Sequence, residues 1–210
     1  LAALLMPALE RAREAARCVV CMNNLRQIGI GVTCYANEHD LALPGIYMPG
    51  PGYTSPHFNY FAYRPMTDGP LSLAALDLAA PEVLYCPSQD SAYWRCDSYP
   101  KPYGSASPYG EIVMGYNYNM YRSGGAMRYT RVTRMPAGKV LALDLAHAPI
   151  VLGHDASMKG WNLLSPGMDV RFCTDQGVWD YFEAHVWPAS NVGDYWATCE
   201  AWFAMVEATR

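Results

Sequence analysis

Residues 1–45 read LAALLMPALERAREAARCVVCMNNLRQIGIGVTCYANEHDLALPG, and their reading decides the fold. The first seven carry no charge and end in Pro7; Glu10, Arg11, Arg13, Glu14 and Arg17 then follow together. Apolar residues recur at helical spacing, which predicts one helix over residues 3 to about 37. Leu5, Leu9, Ala12, Ala16 and Val19 fall near one face, and Leu25, Ile28, Val32 and Tyr35 are expected to continue the stripe. Pro7 removes a backbone donor and predicts a kink. Gly29 and Gly31 each cost about 1 kcal/mol against Ala inside a helix, a cost acceptable where the helix backbone lies close to a sheet. Pro44 and Gly45 predict the stop. An apolar run of seven falls well short of the roughly 20 residues of a membrane span, so it reads as the lower end of a longer apolar helix.

Beyond the helix, residues 44–70 and 88–110 are rich in Pro, Gly and Tyr and read as long loops. LSLAALDLAA (71–80) predicts a short helix, EVLYCPS (82–88) a short strand, and EIVMGYNYNMY (111–121) a strand with a turn. In GKVLALD (138–144) both faces are mostly apolar, which predicts a central strand. GMDVRFCTDQGVWDYF (167–182) reads as a hairpin turning at TDQG. The closing DYWATCEAWFAMVEATR reads as an amphipathic helix with Trp196, Cys199, Phe203 and Val206 on one stripe.

At 210 residues the chain is long enough to bury a core. The net charge of −4 is mild, and basic residues cluster only in the first helix, which argues against nucleic acid as a partner. Sixteen Tyr and six Trp suit surfaces that pack on other subunits or hold ligands. Seven Cys point to an exported chain with up to three disulfides and one free thiol, zinc binding being the rival reading. Cys18 and Cys21 form a CxxC on the predicted helix, without the preceding strand of a redox motif. Cys86 and Cys96 are ten apart, a fair spacing for a local disulfide, and Cys173 with Cys199 is a pairing that would pin the last helix. Asp144, His147, His154 and Asp155 share no established metal spacing and read as loop residues. Enzyme motifs are absent: there is no nucleophile elbow, no HExxH and no phosphate loop.

Residues 1–45 resemble the N-terminal region of type IV pilin-like proteins, and most of all a pseudopilin-like secreted group known from planctomycetes. The likeness rests on LPAL-like MPAL (6–9), ARE (12–14) and CMNNLRQIG (21–29). LYCPS (84–88), GYNYN (115–119) and GKVLALD (138–144) are similar to later family segments in the same order. The family closes with Gly-x-Asn-Val-Leu-Phe-x-Asp-Gly-x-Val, preceded by a His. Aligned on the expected hairpin, Asp169 stands for the Asn and Asp175-Gln176-Gly177 for the Asp-Gly. The position of the His then falls at Leu164 or Ser165, with His154 ten or more residues early.

The resemblance implies an α+β fold: a long N-terminal helix (1–37) on an antiparallel sheet of about four strands, in a head domain (38–210). It implies a prepilin held in the inner membrane, then a structural subunit of an extracellular pilus-like or pseudopilus-like filament made of copies of itself. Leu1, Leu4, Leu5, Pro7, Leu9, Ala12, Ala16 and Val19 would be its assembly helix. It also implies that Cys21 and Cys86 staple helix to sheet, the rival being Cys86 with Cys96. Calcium at Asp169 and Asp175 is carried over from pseudopilins that hold it in C-terminal loops; otherwise no cofactor is expected. The other functional class is a surface-anchored binding module whose aromatic loops hold carbohydrate or protein.

Overall fold

The computed structural model describes residues 2–44, 60–62, 78–88, 111–113, 116–118, 129–144, 146–147, 151–152, 154, 158–186 and 192–209. The loops expected at 44–70 and 88–110 and the helix expected at 71–80 lie almost wholly outside them.

Helix α1 runs Ala2–Glu38, through Pro7. It ends where Asp40 and Leu41 take positive φ (52° and 60°) and the Leu41 amide reaches back 2.7 Å to the Ala36 carbonyl. That is the six-to-one bond of a Schellman stop. The chain leaving it is pinned by an Ala42–Arg131 bridge and an Arg131–Asp40 ion pair of 2.5 Å.

The main sheet is a four-stranded antiparallel meander in the order β3-β4-β7-β8: Tyr116–Tyr118, Ala142–Asp144, Trp161–Leu164 and Val170–Cys173. Two small ladders flank it, β1 (Tyr60–Ala62) with β2 (Glu111–Val113), and β5 (Ala146–His147) with β6 (Val151–Leu152). Strand β4 is buried throughout and central, as its two apolar faces predict. The α+β arrangement of long helix, antiparallel sheet and C-terminal helix agrees with expectation.

Successive side chains alternate across a strand, so the register sorts them into two faces. Tyr116, Ala142, Asp144, Asn162, Leu164 and Val170 share the face toward α1. Gly29 shows how near the helix comes: a Cβ there would sit 2.8 Å from Met168 Sδ and 3.2 Å from a Leu164 methyl. Its cost in helix propensity is therefore offset by close packing, as expected. On the opposite face Trp161 meets Trp179, Phe182 and Trp202, ring centroids 5.0–5.2 Å apart. Those partners come from α2 (Gln176–Tyr181), the π-helical turn that follows it, and α3 (Val192–Ala208). The sheet is thus covered by helix on both sides, and α3 buries Trp202, Phe203 and Val206.

Three expectations are corrected. The hairpin is β7–β8, turning at residues 165–169, rather than 167–182. The TDQG segment instead opens α2: Asp175 is its N-cap, its Oδ1 accepting from the Val178 amide at 3.0 Å. EVLYCPS contains a 3₁₀ turn, Pro81–Leu84, whose Pro at the first position favours a helical start over a strand. Finally, the apolar stripe of α1 does not continue along one face. Leu25, Ile28 and Val32 are fully buried, whereas Leu5, Leu9, Ala12, Ala16 and Val19 are exposed. Sixteen residues separate Leu9 from Leu25, which at about 100° per residue turns the helix through roughly 160°. From Leu5 onward, the first residue of α1 to be buried against the head is Glu14.

Candidate functional site

Two features of α1 stand out, one on each side of it. Its outer face carries Leu5, Leu9, Ala12, Ala16, Val19, Val20 and Ile30, with Leu5 and Val19 each 64% exposed. Its inner face carries, between the two apolar ends, Glu14, Cys18, Cys21 and Asn24, all buried. A buried polar group costs free energy unless it is partnered, so the inner set demands an account.

The partners come from distant parts of the chain. His154 is 5% exposed and lies between two carboxylates: Nδ1 is 2.8 Å from Glu14 Oε1 and Nε2 is 3.3 Å from Asp144 Oδ2. Ser88 Oγ is 3.1 Å from Nδ1. Asp144 Oδ2 also accepts the Asn162 amide at 2.6 Å, while Asp144 Oδ1 is buried with no hydrogen-bond partner. Burial alone would drive the imidazole neutral. Its bonds to Asp144 and Cys86 and the nearby negative charge outweigh that and hold its pKa up to about 11. His154 is therefore an imidazolium at neutral pH, bridging helix to sheet between two anions. The Asn162 side chain joins the cluster, its Nδ2 3.3 Å from Nε2 and 3.4 Å from Cys18 Sγ, and its Oδ1 3.5 Å from the same sulfur. Asn24 adds a separate tie, donating to the Tyr85 carbonyl at 3.2 Å.

Above this triad, Cys21 Sγ and Cys86 Sγ lie 2.6 Å apart, both buried. Cys86 Sγ is 4.0 Å from His154 Nε2. Burial raises a thiol pKa, but for Cys86 the bond to Cys21 and the imidazolium prevail and bring it down to about 7. Burial, with the neighbouring Cys86 charge, pushes Cys21 far up. Of the two sulfurs, Cys86 is the one beside the imidazole and the one whose ionisation is favoured. Cys18 sits one turn below on the helix, 3.5 Å from the Asn162 amide, and burial raises its pKa.

Cys21, Cys86 and His154 each offer a donor atom within 4.8 Å of the others, so a soft metal must be weighed. Two thiolates on a tetrahedral zinc stand about 3.8 Å apart, given Zn–S bonds of about 2.3 Å. The observed separation is far shorter. Charge also disfavours it: two thiolates with Glu14 and Asp144 make four anions, more than one divalent ion offsets beside a neutral imidazole. The arrangement suits two thiols poised to join.

The remaining candidates are scattered. Asp169 closes the β7–β8 turn through Ser165, and Asp175 caps α2. They stand at opposite ends of β8, roughly 20 Å of extended chain apart, and do not converge on one cation. Cys173 Sγ is 3.4 Å from Thr209 Oγ1. Cys96, Asp155 and the side chains of Cys199 and His147 lie outside the described residues, as do those of Leu1 and Leu4.

Sequence reasoning reads Asp144 and His154 as loop residues and does not single out Asn162. Gly160 precedes β7, where a Cβ would strike the Cys173 carbonyl and the Phe172 ring. Met168, in the β7–β8 turn, is held at φ 65°.

Among proteins already described, a family model labelled SBP_bac_10, a protein of unknown function (DUF1559), matches residues 10–63, which span α1 from Glu10 to its end, and β1. No curated protein and no solved structure matches the chain.

Proposed function

We propose that this chain is a structural subunit of an extracellular pilus-like or pseudopilus-like filament, assembled through α1. One observation carries the reading: the face of α1 turned away from the head is a row of exposed Leu, Ala, Val and Ile. On a 37-residue helix already seated by its other face, an outward apolar row needs a partner in water. The small side chains Ala12 and Ala16 let a second helix approach closely. Full burial of each Leu, Val or Ile between helices contributes about 1.5–3 kcal/mol. The partner is a second copy of the chain. The charges on residues 10–17 sit around the row, not across it, and leave room for such packing. The match over residues 10–63 covers most of this helix, and its description assigns no activity. In this reading the precursor is held at the inner membrane and the filament forms outside it; none of the described helices is itself long and apolar enough to cross a membrane.

The test is electron microscopy of the secreted protein. Filaments are expected from the native chain and are expected to vanish in Leu5→Asp, while the circular dichroism of the head is unchanged. Monodisperse monomers from the native precursor, processed in its host, would overturn the proposal.

A further inference from the structure

The charged triad and the thiol pair belong to different elements, yet they meet at the joint between α1 and the head. Cys21 comes from the helix and Cys86 from the segment after the 3₁₀ turn, 65 positions away. His154 reaches in from before β7, and Asp144 from β4. A structural thiol pair packed only for bulk needs no imidazolium beside it. Here one is held in place by two carboxylates, with its nearer sulfur at 4.0 Å.

We infer that Cys21 and Cys86 form an oxidative closure site, at which His154 is the positioning residue that keeps Cys86 the attacking sulfur and an external disulfide is the oxidant. The reaction balances in two exchanges. While α1 is lifted enough to expose Cys86, its thiolate attacks a small-molecule or protein disulfide RS–SR. A Cys86–SR mixed disulfide forms and one RS⁻ leaves. As α1 seats, Cys21 gives up its proton to solvent or RS⁻ and attacks the Cys86 sulfur, expelling the second RS⁻. Two electrons pass from the two cysteines to RS–SR. The product is a bond across the joint, closed by docking of the helix. Cys18 is a near competitor on the same helix face, but it pairs with Asn162 and is not the sulfur in contact with Cys86. The inference requires an oxidising compartment but not assembly into filaments, so it can fail or stand apart from the filament reading.

Two measurements on the purified full chain test it. Reduced protein is mixed with oxidised glutathione, quenched, and its peptides mapped without reduction. A peptide linking Cys21 to Cys86 is expected. Both cysteines alkylated, a Cys18–Cys86 link, or a stoichiometric zinc ion that keeps both thiols reduced would each overturn the site. The rate of closure is then followed against pH. The native chain is expected to show a midpoint below that of an ordinary thiol. In His154→Gln the midpoint should move toward an ordinary thiol, with closure at pH 7 slower by about tenfold. An unchanged pH profile in that variant, with the same link formed, would remove His154 from the assignment.

Discussion

At the residue scale the governing fact is that a charged histidine is buried. His154 has an ordinary pKa of 6.5 and a folded one of about 11, so the folded state binds its proton more tightly. A group raised in this way contributes its full stabilisation below about pH 6.5 and loses it as pH climbs toward 11. In the oxidised chain, where Asp144 and Glu14 still hold the imidazolium but the Cys86 charge is gone, urea unfolding should therefore show stability falling as pH rises above about 7, by up to about 1.4 kcal/mol per pH unit from this group. In His154→Gln the decline should flatten; a parallel decline in both proteins would mean that the triad is not what titrates. This scale was the least legible in the sequence. Glu14, Cys21, Cys86, Asp144, His154 and Asn162 share no local spacing, and only the sheet register and the helix face bring them together. Cys21 and Cys86 were paired through the family resemblance alone, and His154 read as a loop residue because its partners are 68 and 140 positions away.

At the scale of the elements, local pattern succeeded where one element imposes its own period and failed where a neighbour decides. Helix α1, strand β4 and helix α3 have long or uniformly apolar patterns and were found. Asn162 breaks the apolar run of strand β7 and hides it from the pattern; its side chain is tolerated there because Cys18 and His154 meet it. Helix α2 was read as a strand because Val178, Trp179 and Tyr181 favour strands, yet the Asp175 cap and the packing of Trp179 on Trp161 override that preference. The contact between α1 and the sheet is set by Gly29. In Gly29→Val, the added methyls meet Met168 and Leu164, and the helix must shift or the pair must repack. The expected cost is about 1–3 kcal/mol in urea unfolding. A variant as stable as the native chain would show that the helix is not tightly seated at that point.

At the scale of the molecule, the helix serves the head on one side and, in the proposed filament, a second copy on the other, and mutations should separate them. Val19→Asp lies on the outer face, 64% exposed, and is expected to leave the unfolding free energy within about 0.5 kcal/mol of native while abolishing assembly. Leu25→Ala lies on the inner face, fully buried, and is expected to cost about 2–5 kcal/mol. Sedimentation and urea unfolding of the two variants distinguish the faces; an equal loss of stability in both would merge them. The division was half visible in the sequence. The apolar positions were legible, but not which of them would face the head, because a 37-residue helix rotates its faces past a head that touches only part of its length.

From Leu5 onward, the first buried residue of α1 is Glu14, and every residue from Leu5 to Arg13 is exposed. At 1.5 Å per residue, those nine form a free lever about 14 Å long. A pull on its tip, along the axis, is not borne by the sheet hydrogen bonds. It loads Glu14 against His154 first, then Cys21 against Cys86, and only afterwards the apolar contacts around Leu25. Force along the axis thus meets the joint in shear and in series, with the proposed Cys21–Cys86 link second in line behind an ionic contact. Ionic contacts can break and re-form within a cycle of strain, whereas the proposed sulfur link would set the limit beyond which the head cannot be drawn off its shaft.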